Sequence, residues 1–313
     1  MNDGVSAAKI SMKIVYAFRR GAFYPHQGTD LPARAHRGKF LEKVKAIGFD
    51  GIELGTGVFD LPGSREEAIK ALRGELEDAG LPCLAVRGGG GFAHPRVAAR
   101  NQKGLEDAVR FAAQIGAEIV NTVLGTPPVD PGGKGTSRGE TVAQGSSRTA
   151  REEDFERTAR AISDVAKIAA DLGVGISIEL HQNTIVDNSW SALHLLDRID
   201  QPNVGVNPDL GNIYWTYHIP EESCEDAILA LAPRSNYWHC KNLYRVYVPD
   251  VQRSIFLQTP IPDGEIDYRF AISAMVAAGY SGNLALEGIR LGDQFYNDGK
   301  SVAYVKSLLD DFQ

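Results

Sequence analysis

The sequence predicts a single (β/α)8 barrel over residues 1–313, and three observations point to it. Short β-rich apolar runs alternate with longer segments of helical period, the signature of a parallel sheet covered by helices. Eight such units fill nearly the whole chain, more than an open doubly wound sheet usually holds, and no phosphate-binding glycine fingerprint opens a helix. Four predicted helices close on glycine, at Gly48, Gly80, Gly116 and Gly173, the residue favoured just past a helix end.

The first unit is KIVYAF (13–18), with a helix from about Arg37 to Ile47; the second is DGIELG (50–55), with a helix from about Arg65 to Ala79. PCLAVR (82–87) is the third, followed by GGGGFAHP and a helix near 100–115, and EIVNTVL (118–124) is the fourth, with a helix near 152–171. VGISIEL (174–180) precedes a helix near 189–198, and VGVNPD (204–209) one near 221–231. NYWHCK (236–241) and NLALEG (283–288) complete the strands, with helices near 267–278 and 299–312. The run Gly88–Gly91 lacks G-x-x-G spacing into a helix and reads as a flexible rim loop. Two connections exceed the usual length: 125–150, rich in Gly, Ser, Thr and Pro, and 242–266, apolar enough to pack on substrate or another subunit.

Composition narrows the function. A net charge of −7 and the lack of a Lys/Arg run exclude a nucleic-acid surface. Cys83, Cys224 and Cys240 are odd in number and have no C-x-x-C spacing, so neither a disulfide framework nor a cysteine zinc site is expected. The first twelve residues are a short polar lead-in, and no run approaches the roughly 18 apolar residues of a membrane span. A soluble, cytoplasmic protein without a membrane partner is expected.

In a barrel, catalytic groups sit where strands end and βα loops begin. The last four predicted strands end in Glu179, Asp209, His239 and Glu287. Taken singly, each has an ordinary explanation as a cap, a turn residue or a core histidine. Taken together, three acids at one rim would repel each other unless a cation neutralised them, so the pattern calls for a metal. A mostly oxygen set with one nitrogen suits Mn2+, the ion favoured here, with Mg2+ or Co2+ as alternatives, and the lack of thiolates argues against structural zinc.

With NPDLGN, WHCKN and LALEG around three of its members, this Glu–Asp–His–Glu series resembles the xylose-isomerase-like barrels of sugar phosphate isomerases and epimerases, over essentially the whole chain. The resemblance implies that Glu179, Asp209, His239 and Glu287 hold one divalent cation and that Glu179 and Glu287 exchange protons with a sugar next to its carbonyl. DNA-repair endonucleases of the same superfamily hold three zinc ions with further histidines, which this acidic chain lacks.

One departure is Glu179-Leu180-His181-Gln182, where the epimerases have a proline-containing stretch. Alternation along a strand turns His181 to the side of Glu179, as a candidate acid/base or as a hydrogen-bond partner of substrate or of a ligand. This histidine, Arg19–Arg20–Gly21 and the apolar loop after the seventh strand also resemble the catalytic α subunits of bacterial C-glycoside deglycosidases. That resemblance implies a lyase that cleaves a 3-keto C-glycoside and pairs with a small β subunit, and it is placed narrowly ahead of a sugar isomerase or epimerase. A homo-oligomer and a non-catalytic sugar-binding subunit are further alternatives. Candidate substrate-binding residues are Glu53, His94, Asn121 and Lys241, with Asn183 beside them; Tyr16, Phe18, Phe23, Tyr24, Trp215, Tyr244 and Tyr247 are candidate aromatic walls.

Overall fold

The computed structural model describes residues 12–17, 31, 34–56, 64–125, 146–215, 221–289 and 292–312. The first half alternates β1 (Ile14–Ala17), α1 (Arg34–Ile47), β2 (Gly51–Gly55), α2 (Arg65–Asp78), β3 (Cys83–Arg87), α3 (Pro95–Ile115), β4 (Ile119–Val123) and α4 (Glu152–Asp171). The second half runs β5 (Gly175–Glu179), α5 (Ser189–Ile199), β6 (Val204–Asn207), α6 (Leu210–Tyr214), α7 (Cys224–Leu231), β7 (Trp238–Cys240), β8 (Asn242–Val248), β9 (Arg253–Thr259), α8 (Tyr268–Ala277), β10 (Leu284–Leu286) and α9 (Gln294–Asp311).

Eight strands pair in parallel in the order β6-β5-β4-β3-β2-β1-β10-β7. The ends of that series meet where Val206 bridges Ser235 and the Asn236 N–H donates to the Val206 carbonyl at 3.2 Å, giving the nearly closed (β/α)8 barrel that the alternation predicts. Strand and helix bounds fall within a few residues of expectation, with three informative exceptions.

The helix of the third unit begins earlier than its periodicity indicates because His94 caps it, its Nδ1 accepting from the Arg96 N–H at 3.1 Å, with Pro95 in the first turn. The last helix likewise starts at Gln294, where Asp293 accepts from the Tyr296 N–H. The segment 242–266 is no irregular loop: β8 and β9 form an antiparallel hairpin with Asn242 opposite Thr259 and Val248 opposite Arg253. Most of the other long connection, 126–145, lies outside the described residues, as do Phe18, Arg19, Arg20, Gly21, Phe23 and Tyr24.

Strand alternation sorts the interior into two packings. Even-numbered strand residues such as Ile14, Tyr16, Ile52, Val86, Ile176, Trp238 and Leu284 join the large core between sheet and helices. Tyr16, a proposed aromatic wall, is therefore core, edge-on to Phe40 and Phe49. Odd-numbered Val15, Ala17, Ala85, Tyr237 and Ala285, with Leu84, form a separate small cluster. The same odd parity carries Glu53, Arg87, Asn121, Glu179, Asn207 and His239, so one face of otherwise apolar strands builds a polar layer.

Candidate metal centre

His239 is the hub of this layer. Register places it beside Ala285 of β10, and its backbone N–H donates to Asn207 Oδ1 at 2.6 Å, which ties β7 to β6. The ring is fully buried. Nε2–H donates to Glu53 Oε2 at 2.6 Å, so Nδ1 faces the opposite way, 3.4 Å from Glu179 Oε2 and 3.5 Å from Glu287 Oε1. Those separations are too long and ill-aimed for firm hydrogen bonds, and Nδ1 has no hydrogen-bond partner.

An imidazole whose far nitrogen is fixed by a carboxylate presents a lone pair on the near one, the arrangement in which histidine binds metals. Among the described residues, Glu179, His239 and Glu287 offer ligand atoms that all lie within 4.8 Å of one another. Four carboxylates, Glu53, Glu179, Asp209 and Glu287, stand against two cations, Arg87 on Glu53 and Lys241 on Asp209 and Glu287. With His239 neutral this leaves two negative charges in a buried layer, the charge that one divalent ion cancels. The residues present thus fit such an ion.

The titration behaviour follows the same geometry. Burial works against a charged His239, but the carboxylates of Glu53 and Glu179 prevail and push its pKa well above the ordinary histidine value. Nδ1 therefore attracts a positive charge, whether proton or metal. Burial opposes ionisation of Glu179 and Glu287 too, yet His239 and Lys241 hold both low, Glu179 at about 2. Asp209 goes the other way: burial outweighs Lys241 and raises it to about 7.

Sequence reasoning placed Asp209 among four ligands, whereas the structure brings three together. Asp209 caps α6 through Oδ1, which accepts from the Asn212 N–H at 3.1 Å, while Oδ2 takes Lys241 Nζ at 2.9 Å. Lys241 Nζ also reaches Glu287 Oε2 at 2.8 Å, so an ammonium bridges the two carboxylates. Its stem passes so close to α6 that a Cβ at Gly211 would lie 2.3 Å from Lys241 Cγ.

Of the expected substrate-binding residues, two reach candidate catalytic acids: Lys241 through its ammonium on Glu287, and Asn121 through its amide on Glu179. Glu53 lies behind His239, both oxygens taken by Arg87, Tyr237 and His239. Asn121 donates Nδ2–H to Glu179 Oε2 at 2.7 Å and accepts from Asn207 at 3.1 Å. His94 is committed to its cap, and Asn183 takes a positive φ of 60° in the loop after β5. His181 makes a 3.0 Å contact from Nδ1 to the Gln182 carbonyl; burial lowers its pKa, with Glu179, Lys241 and Glu287 all within electrostatic reach.

Sequence reasoning missed Arg87, Asn207, Asn212 and Tyr237. Asn212 uses one amide nitrogen on Glu179 Oε1, Asp209 Oδ2 and the Leu180 carbonyl, at 2.9 to 3.0 Å. The odd parity of polar residues in apolar strands was the signal for Arg87, Asn207 and Tyr237. Asn212, on a five-residue helix, has no strand parity to mark it, and its one signal is its place in the NPDLGN run.

The xylose isomerase-like TIM barrel family model matches residues 41–306. Solved structures of the same fold include a xylose isomerase-like TIM barrel protein from Mycobacterium smegmatis in complex with magnesium, 22% identical, TM-score 0.76, covering 97% of this chain and 99% of that one. A 3-keto-D-glucoside 4-epimerase from E. coli is 16% identical, with TM-score 0.68 and coverage of 95% and 100%. A D-psicose 3-epimerase with D-tagatose from Clostridium cellulolyticum H10 is 18% identical, with TM-score 0.66 and coverage of 95% and 99%. Curated protein sequences give no match. A family match spanning the strands from β2 to β10, on a barrel of this topology, makes the chain a member of the xylose isomerase-like TIM barrel family.

Proposed function

We propose that the chain is a divalent-metal-dependent enzyme that moves a proton at the carbon next to a carbonyl in a sugar or keto-glycoside, as an isomerase or epimerase. The observation that carries the reading is the convergence of Glu179 and Glu287 on the unpartnered Nδ1 of a histidine fixed from behind by Glu53. Glu179, His239 and Glu287 would hold the ion. When bound, it supplies Lewis acidity that steadies negative charge on the substrate oxygen as the neighbouring C–H is lost.

The two glutamates are unequal as proton carriers. Asn121 and Asn212 occupy both oxygens of Glu179, whose side chain is 4% exposed, so it is a fixed anchor. Glu287 is 23% exposed and held through Oε2 by Lys241, which leaves it the better placed to meet a carbon acid. Lys241, charged and shared between Asp209 and Glu287, would orient a substrate oxygen at the same place. Similarity to barrels that include two sugar epimerases, one for a 3-keto-D-glucoside, supports the substrate class.

A second reading, elimination of the aglycone from a 3-keto C-glycoside, is favoured by His181. Burial keeps this imidazole neutral, and it adds a further proton-transfer group to the same centre. Incubation in D2O with Mn2+ or Mg2+, followed by NMR, tests both. Deuterium next to the carbonyl of a recovered ketose or keto-glycoside supports the proposal, and its appearance in an epimer rather than beside free aglycone selects the first reading. No exchange in any sugar ketone would contradict both.

A further inference from the structure

We infer, on the metal-dependent reading above, that Tyr237 is a positioning residue of the centre: its hydroxyl fixes the Glu53 carboxylate, which in turn aims His239 Nδ1 at the ion.

Tyr237 stands among inward-facing side chains that are mostly small. Val15, Ala17, Leu84, Ala85 and Ala285 pack with it in the separate cluster inside the sheet, and its own side chain is fully buried. A phenylalanine ring would fill the same space. The hydroxyl adds nothing to that packing, and a buried hydroxyl costs free energy unless it is hydrogen-bonded. It donates to Glu53 Oε2 at 2.7 Å, reaching from the start of β7 to β2 with β1 and β10 between them in the sheet.

The neighbours of Glu53 show what this bond does. Parallel register places Ala17 of β1 beside it on one side and Ala85 of β3 on the other, and neither methyl is long enough to confine a carboxylate sideways. Donors must therefore set its plane. Arg87 Nε meets Oε1 at 2.6 Å as an ion pair rather than an aligned hydrogen bond. Oε2 takes two donors, the Tyr237 hydroxyl and, at 2.6 Å, His239 Nε2–H. These two side chains lie two residues apart on one strand segment, with ring centroids 5.4 Å apart.

Among the described residues, the Tyr237 hydroxyl is thus the side-chain group, other than His239 itself, that holds this carboxylate by an aligned hydrogen bond. Without it, His239 would have to orient the very group that orients His239. The ring would then be held less firmly, and Nδ1 would be placed less well between Glu179 and Glu287.

Calorimetric titration of Mn2+ into the wild type, Tyr237→Phe, Glu53→Gln and the double variant tests the inference. Tyr237→Phe keeps the ring, so its thermal melting should stay within a few degrees of wild type. The expected result is a Mn2+ dissociation constant raised about 10-fold by Tyr237→Phe alone, and by less than about twofold when the same change is made in Glu53→Gln, because the hydroxyl acts only through the carboxylate. An unchanged constant in Tyr237→Phe would overturn the inference, and so would the same loss in both backgrounds, which is the behaviour of a packing effect. A wild type that binds no Mn2+ defeats the metal-dependent function itself, whereas a wild type that binds it as well as Tyr237→Phe does defeats only the role of Tyr237. Diffraction from the Mn2+-loaded wild type supplies a readout that needs no variant: the hydroxyl should still lie on Glu53 Oε2, and a Glu53 that keeps His239 after Tyr237 has let go would overturn the inference.

Discussion

Strands β2 to β4 and the later barrel strands β5, β6 and β7, with Glu287 just past β10, send polar side chains into the same interior layer, yet their side chains differ in what they leave free. Glu53 and Asn121 spend their polar atoms on other protein groups, and Arg87 holds Glu53. On the other side, His239 Nδ1 has no hydrogen-bond partner, with Glu287 Oε1 standing 3.5 Å from it. Polar residues at a barrel rim are thus told apart by their unspent valences rather than by their strand: Glu179, Asn207 and Tyr237 of the late strands are held as firmly as Glu53 and Asn121, and His239 Nδ1 is a buried atom left over.

The contrast breaks most sharply at Glu287. Glu287→Gln keeps the shape but loses a ligand charge and the proposed base, so activity should fall by on the order of 10⁴-fold and bound metal should drop with it, read by turnover and metal analysis. An active, metal-loaded variant would remove Glu287 from the working side. His181→Ala sharpens the same side: bound metal unchanged and kcat lowered about 10³-fold separates a proton carrier from a ligand. Equal loss of metal would make His181 a support instead.

Glu53→Gln probes the supporting side. Turnover at saturating metal should survive, while metal affinity weakens by about 10- to 100-fold in calorimetric titration, because the imidazole loses its orienting anion. The smallest effect lies outside the centre, at Asp187. Burial, with help from the Glu221 charge, raises its pKa from 3.8 to about 6, and its Oδ1 lacks a hydrogen-bond partner. The folded chain then holds this proton to higher pH than the unfolded chain does, so its contribution to stability declines as pH rises from about 4 to 6 and stays low above. Asp187→Asn should remove that decline and gain on the order of 1–2 kcal/mol at pH 7.5, measured by urea unfolding at both ends of the window. A variant with the wild-type pH slope would contradict the assignment.

The barrel was legible because each strand is a short apolar run and four of the helices close on a glycine, Gly48, Gly80, Gly116 and Gly173, each with positive φ. Glu179, His239 and Glu287 were legible for the same reason, as polar residues at strand ends of one parity. Asp209 was legible as part of the series, but its partnership with Lys241 was not, because a contact set by the path of a side chain over Gly211 leaves no periodic trace. The hairpin was misread for a related cause. The run 242–259 has the alternation of two strands, but Tyr, Val, Ile and Leu at its outward positions are exposed, so the pattern did not report burial. His94 shows the converse, since it was expected to bind substrate from the GGGGFAHP connection and is instead the cap of α3.

Anomalous diffraction from crystals grown with Mn2+ tests the metal centre most directly. The account predicts one strong peak per chain, roughly 2.0–2.4 Å from oxygens of Glu179 and Glu287 and from His239 Nδ1, with Glu53 still on Nε2. A peak held by other residues, or none at millimolar Mn2+, would contradict it.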